Sequence, residues 1–499
     1  MNKLNKKLAI IVAAVMTTTT ILSGCAAKKV APTTTTKTPY ALDWYYVGNG
    51  PQADSAMVDA AATAMLKDIN VTLVTHCIDW GTYQAKMTTN LATGEKIDLF
   101  MTALGWGSLI VDDVRKAAVV DITTLAPKYA PNAVATLKGG FWEYSKIDGK
   151  NYSLPVNKEK ANSIGFIFNQ AYVTKYSLQD ATAAAKTMEA ITPMAKLVKA
   201  AEPTIFPIEP NGGMTSFWLS NDNPVASNLV VLPHNSTDDK FIAAAANPNF
   251  AAVADVTRGW YNAGYIQKDA PTILDVTPFR KAGKNFIGFD PLKPGKDVED
   301  TVSSGTTWKQ TVASEPYTST AETMGCMMSI AKSAKDPARV LEFADKLYSD
   351  VKLLNLIDYG IEGTHYVVKS PGVIDFAPAT DGGKKSGYNL GTPWMFGDQF
   401  KSYLFSNEDP NKWAAFKNFN AAAKPVAAAG FIYNDDNTKN EEAACVNVQK
   451  EFDPSLNVGA IDPKVNIPKY IAKLDAAGMQ KILTDVNSQY DAWKIIAKK

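Results

Sequence analysis

The chain has 499 residues, with 51 Lys and Arg against 50 Asp and Glu, giving a formal net charge of +1. So even a balance, without a basic block or arginine-rich stripe, argues against nucleic acid as a partner and suits a neutral ligand better than a strongly charged one. Hydrophobic residues make up 46% and charged residues 20%, a globular composition; the roughly 460 residues beyond the N-terminal segments exceed one compact core, so two lobes or domains are expected.

The chain opens with three lysines, Lys3, Lys6 and Lys7, then an apolar run from Leu8 to Met16, then Leu22-Ser23-Gly24-Cys25. The apolar run is well short of the ~20 residues a spanning helix needs, so the order reads as an export leader. Its end resembles the lipobox at which bacterial lipoproteins are cleaved and acylated, which makes residues 1–25 a signal peptide and Cys25 the lipidated N-terminus. Each buried methylene contributes about 0.8 kcal/mol, so two or more chains anchor stably where one does not. Without the leader lysines the formal charge falls from +1 to about −2. Ala26 to Pro39, rich in Ala, Lys, Thr and Pro, has almost nothing to bury and is expected to be a flexible linker.

From Tyr40 the pattern alternates. Tyr40 to Val47 reads as a strand broken at Gly48-Asn49-Gly50-Pro51, and Met57, Val58, Ala61, Met65 and Ile69 follow with helical spacing. Val71 to Ile78 is a second strand, ending at Asp79-Trp80-Gly81, followed by a helix from Thr82 to about Leu91. Lys96 to Thr102 is a third, ending at Leu104-Gly105-Trp106-Gly107. This alternation predicts a parallel sheet covered on both faces, and such sheets bind ligands outside the carboxyl ends of their strands. The three ends carry Trp44, Tyr45 and Tyr46, then Asp79 and Trp80, then Trp106. An aromatic face stacks on the C–H face of a sugar ring, and carboxylates and amides pair with its hydroxyls. Further on, Ile147 to Pro155 reads as a tight turn entering an extended segment, and Gly165 to Asn169 as an apolar strand.

Several segments together resemble the bacterial family 1 extracellular solute-binding proteins, in particular the LipO-type lipoproteins with a C-terminal extension. They are Asp79-Trp80-Gly81-Thr82-Tyr83, Asp98-Leu99-Phe100, Leu125 to Pro131, Gly149 to Pro155, Gly259 to Ile266, Tyr359 to Tyr366, and Trp394 to Phe400. The resemblance implies an α/β, two-lobed periplasmic-binding-protein-like fold of type II, with discontinuous lobes joined by a hinge. It places lobe one at 40–160 plus 322–370 and lobe two at 161–321 plus 371–499, including the extension. Met324 to Ala331 is the expected returning strand. In the helix Pro337 to Leu347 that follows, Val340, Leu341, Phe343, Ala344 and Leu347 are expected to face the sheet.

The implied function is capture of a carbohydrate, an oligosaccharide by preference, by hinge closure, with delivery to the permease of an ABC importer. The protein is then a lipid-anchored monomer on the extracellular face of the cytoplasmic membrane, needing no cofactor. Micromolar affinity, about −8 kcal/mol, suits release as well as capture. The expected ligand-binding residues are Tyr45, Trp80 and Trp106 from lobe one, with Asn211 and Trp218 from lobe two, where Asn211-Gly212-Gly213 opens a helix. Trp218 reads equally well as a core aromatic on an amphipathic helix. Trp394 is expected to pack inside the extension, and Glu362 and His365 to hold a structural turn.

Zincin, nucleophile-elbow, phosphate-loop and paired Cys-x-x-Cys patterns are missing from the sequence, so no catalytic or metal-ligating residues are assigned. His76 and Cys77 are neighbours on a strand and point to opposite faces. Asp435, Asp436, Glu441 and Glu442 form an acidic stretch that departs from the EF-hand spacing and reads as a solvated turn. Cys77, Cys326 and Cys445 do not read as a disulfide framework, and buried free thiols are expected for Cys77 and Cys326. The competing readings are an extracellular glycoside hydrolase, which needs only two carboxylates in a sugar cleft, and a ligand-presenting subunit of a membrane sensor.

Overall fold

Tyr40–Gly48 pairs in parallel with Val71–Asp79 on one side and Leu99–Ala103 on the other, the order that the strand–helix alternation implies. The computed structural model in which this is seen describes residues 37–210, 214–219, 222–234, 238–273 and 275–497. Residues 39–499 make up one compact unit. Helices Ser55–Met65 and Tyr83–Thr93 make the two crossovers. The sheet is completed by Met327–Ile330, which lies antiparallel to Leu99–Ala103, and by Ser153–Pro155 beyond it.

Because this sheet is covered on both faces, its inner strand Tyr40–Gly48 reads as a nearly continuous apolar run. Leu42, Trp44 and Tyr46 are fully buried on one face, and Tyr45 and Val47 almost so on the other. Helix Pro337–Ser349 starts on an Asp336 side chain that accepts from Arg339 N, with proline at its first position. It buries Val340, Leu341, Phe343, Ala344 and Leu347 against the sheet, as its spacing predicts. The turn after Ile147 is built by Asp148 and Gly149, both at positive φ (50° and 77°), the geometry a two-residue hairpin requires.

In lobe two, Ser163–Asn169 is buried along its whole length between two antiparallel neighbours, Ile287–Leu292 and Trp308–Val312. Around it Phe166, Phe289, Trp260 and Ile191 form one core; Trp218, Phe250, Phe431, Cys445, Ile482 and Tyr490 form another. Helix Pro248–Asn262 serves both, with Phe250 in the second core and Trp260 in the first. The extension's helices, Lys439–Asn457, Pro463–Ala476 and Met479–Ala497, pack around the second core. A Cβ at Gly459 would lie 2.3 Å from Arg258 N, so glycine there permits close approach of the extension to helix Pro248–Asn262.

Three stretches of chain cross between the lobes and are joined to one another. Asn162 bridges Tyr317, and Tyr317–Thr318 pairs in parallel with Lys424–Pro425. Asn420 Oδ1 accepts from Lys160 N (2.8 Å) and Ala161 N (3.2 Å), while its Nδ2 donates to Lys158 O (2.9 Å).

The expected lobe boundary at 371 needs correction. Strands Tyr366–Ser370, Val373–Phe376 and Leu404–Phe405 form a small sheet, and Tyr388, Leu390, Met395 and Phe396 lie in the core of lobe one. Phe396 meets Trp44 edge-on at 4.8 Å. Residues 371–405 therefore pack with lobe one, because their large apolar side chains cover the face of the sheet that presents Trp44 and Tyr46.

Candidate functional site

Trp80 follows directly on strand Val71–Asp79, where Asp79 shapes the turn by accepting from Gly81 N (2.9 Å) and Thr82 N (3.1 Å). Trp106 follows strand Leu99–Ala103, and its Nε1 donates to Gly325 O (2.8 Å), which fixes the ring edge. Trp394 sits in the one-turn helix Pro393–Met395. The three rings form a triangle, with centroid separations of 5.8 Å (Trp80–Trp106), 6.2 Å (Trp80–Trp394) and 5.9 Å (Trp106–Trp394). Trp80 is 45% exposed and the other two are half-buried, so indole surface stays open. Indoles left bare at the carboxyl ends of parallel strands offer broad apolar planes with little entropy to lose.

Trp106 and Trp394 also line a cavity of about 420 Å³. Lys158, Glu159, Asn162 and Glu322 of the crossing segments and Lys293, Lys296 and Glu299 of lobe two complete its polar wall. Glu159 Oε1 lies 3.1 Å from Lys158 Nζ and 3.4 Å from Lys293 Nζ, while Oε2 is buried without a partner. Burial raises the Glu159 carboxyl, but Lys158 and Lys293 outweigh it and hold the group below its usual range. Burial likewise opposes the charge on Lys293, and Glu159 and Glu299 reverse that effect. Glu322 caps helix Thr320–Thr323 from inside, accepting from Ser319 N (3.1 Å), and its Oε1 accepts from Asn162 Nδ2 (3.3 Å). The result is a cluster of three mutually inclined indoles beside fixed donors and acceptors of both signs, suited to a polyhydroxylated neutral molecule.

Of the five expected ligand-binding residues, the structure brings Trp80 and Trp106 together. Tyr45 requires correction. It is 7% exposed, three residues inside the strand end, and its ring stacks on His76 at 4.1 Å, where His76 Nε2 meets Asp43 Oδ1 (2.8 Å). Trp218 requires the same correction: it is 3% exposed and packs edge-on against Phe250 at 4.9 Å, taking the core alternative. Asn211 and Cys25 lie outside the described residues. Trp394, expected to pack inside the extension, instead completes the triangle. Its position after Gly391-Thr392-Pro393 in a loop was the only hint of exposure.

His365 is 2% exposed; its Nδ1 accepts from Ile361 N (2.8 Å) and its Nε2 faces Asp54 Oδ2 (3.1 Å), a turn-holding arrangement. Cys77, Cys326 and Cys445 are free and buried, and burial pushes their thiols up to about 11, 12 and 11. The acidic stretch is divided among separate partners: Asp435 with Arg115, Asp436 with Lys439, and Glu441 with Lys481. Among the described residues no group of side chains is arranged to hold a metal ion.

Two lobes, three joined crossings and an aromatic cavity between the lobes define a two-lobed binding protein. The description of the bacterial extracellular solute-binding proteins matches residues 48–351, more than half of the chain, and the chain belongs to that family. A domain of unknown function (DUF3502) matches residues 427–495, the helical extension. A carbohydrate ABC transporter substrate-binding protein of Streptococcus pneumoniae serotype 4 (strain ATCC BAA-334 / TIGR4) is 26% identical over 460 residues, covering 90% of this chain and 89% of that protein. The crystal structure of the N-glycan transport solute binding protein (NgtS) from Streptococcus pneumoniae has a TM-score of 0.79 at 24% identity, covering 91% of this chain and 98% of that one. An extracellular solute-binding protein from Bifidobacterium longum subsp. infantis has a TM-score of 0.62 at 12% identity, over 91% and 98% of the two chains.

Proposed function

We propose that this protein captures an oligosaccharide outside the cell, closes on it, and presents it to the permease of an ABC importer, held at the outer face of the cytoplasmic membrane by lipid on Cys25. The observation that carries this reading is the Trp80–Trp106–Trp394 triangle beside a cavity walled by both lobes. A solute that touches both walls binds the closed form more tightly than the open one, and that difference alone shifts the population. Tethering keeps the loaded protein near its membrane partner.

The relative described as a carbohydrate ABC transporter substrate-binding protein supports the solute class. NgtS has been crystallised with Man1GlcNAc and with Man5GlcNAc, so these are the first ligands to offer. The test is calorimetric titration of the full chain with both, alongside maltopentaose, chitopentaose, amino acids and short peptides. One saccharide series is expected to bind with micromolar affinity and to be recovered intact. Trp80→Ala and Trp394→Ala should each weaken that binding by about tenfold or more, since each removes a stacking plane. Binding only by peptides, or recovery of shortened saccharides, would sink the reading.

A further inference from the structure

A second cavity, of about 380 Å³, lies on the other side of the short helix Thr320–Thr323. Ser319, Thr320 and Ala321 line it, whereas Glu322 and Gly325 line the tryptophan cavity. Its walls come from three parts of the molecule: Leu104 and Arg115 of lobe one, Asn223 and Val225 of lobe two, and Phe431 and Glu442 of the extension. Arg115 closes one edge, its Nη1 on Asp435 Oδ1 (2.6 Å) and its Nη2 donating to Tyr433 O (3.3 Å), so lobe one meets the extension here directly.

Two side chains of this wall keep a buried polar atom unused. Asn223 is 6% exposed and its Nδ2 donates to nothing. Glu442 Oε1 accepts from Ser227 Oγ (2.6 Å), but its Oε2 is buried without a partner. An unpaired buried donor or acceptor is costly, and native proteins keep few of them. Both atoms end soft terminal torsions, so each can turn toward an occupant of the cavity at little cost. One spare donor and one spare acceptor beside Leu104, Val225 and Phe431 match a group that both accepts and donates next to a carbon skeleton, as a sugar hydroxyl or acetamido group does.

We propose that this cavity is a second saccharide subsite, supplied in part by the extension, which holds a distal unit of the oligosaccharide whose other part stacks on the tryptophan triangle. The two cavities take neighbouring residues of one short helix, Ser319 to Ala321 for one and Glu322 for the other, and Leu104 of the one stands two residues before Trp106 of the other, so they adjoin and an oligosaccharide of several units is expected to reach from one to the other. This inference rests on the functional reading above. It assigns the extension a part in choosing ligand length.

The test titrates the full chain and its Asn223→Ala, Glu442→Gln and Trp80→Ala variants with Man1GlcNAc, Man5GlcNAc, maltose, maltopentaose, chitobiose and chitopentaose, with melting temperatures recorded for each variant. In the series that binds, Asn223→Ala and Glu442→Gln are expected to weaken the five- or six-unit ligand by about tenfold and leave the two-unit ligand unchanged, whereas Trp80→Ala weakens both. If the two variants bind the long ligand as the unaltered chain does while Trp80→Ala does not, the subsite is wrong and the functional reading stands. Equal losses for short and long ligands would also overturn the subsite, placing Asn223 and Glu442 in the fold. If the unaltered chain binds no member of any series, both readings fall together.

Discussion

An indole can serve as a recognition surface only where a face is left bare, and the indoles of this chain differ in just that. Trp44 and Trp260 are fully enclosed, while Trp80 keeps 45% of its surface. A residue-scale tension of another sort lies in lobe two. Arg280 Nε and Nη2 bond to Glu209 Oε1 (2.6 Å) and Oε2 (2.9 Å), with Nη2 also 2.8 Å from Asp290 Oδ2 and Nη1 3.4 Å from Asp300 Oδ1. Burial pushes the Glu209 carboxyl up to about 7, against the pull of Arg280 and with Asp290 and Asp300 adding to the rise. An unfolded glutamate titrates near ~4.3, so the folded chain keeps a proton that the unfolded chain has lost. The contribution is therefore full below that value and is lost as pH rises through about 7. Melting temperature measured from pH 5 to 8 should fall more steeply in the unaltered chain than in Glu209→Gln, and parallel slopes would refute the assignment. Residue type alone did not separate site from core: Tyr45, Trp80, Trp106 and Trp218 looked alike as candidates, because exposure belongs to the packed neighbours and not to the residue.

At the scale of elements, local pattern carried a good deal. The three parallel strands, the hairpin at Asp148-Gly149 and the buried face of Pro337–Ser349 follow from period, turn chemistry and capping, which act over a few residues. The helix after Gly50 is a partial exception. Its periodicity put Met57, Val58, Ala61, Met65 and Ile69 on one face; Val58 and Ile69 are buried, but with Ala62 and Leu66 beside them, while Met57 is 42% exposed, because the sheet beneath selects one of two adjacent apolar stripes. The crossings depend on contacts that no local pattern announces. Asn420 serves two backbone N–H groups and one carbonyl of the first crossing, so Asn420→Ala leaves them without partners at a cost of about 1–3 kcal/mol. Asn420→Ala should lower the melting temperature, and Asn420→Asp, which keeps the acceptor, should recover part of the loss. A melting temperature equal to that of the unaltered chain would show that the crossings do not rely on this side chain.

At the scale of the whole molecule, the two lobes meet through the crossings, the tryptophan cavity and the Arg115–Asp435 contact. Ligand-driven closure predicts a smaller radius of gyration in small-angle scattering when the oligosaccharide that binds is added, and a midpoint of that change at about tenfold higher ligand with Trp80→Ala. An unchanged radius for the saturated protein would remove closure from the mechanism. The sequence by itself determined the alternating elements of lobe one, the family resemblance and two of the three indoles, since each is written in neighbouring residues or in ordered motifs. Only the tertiary structure decided that residues 371–405 join lobe one, that Trp394 completes the triangle, and that Tyr45 and Trp218 turn into packed interiors. Those outcomes depend on contacts between residues far apart in the chain, whose energies come from the surface they bury together.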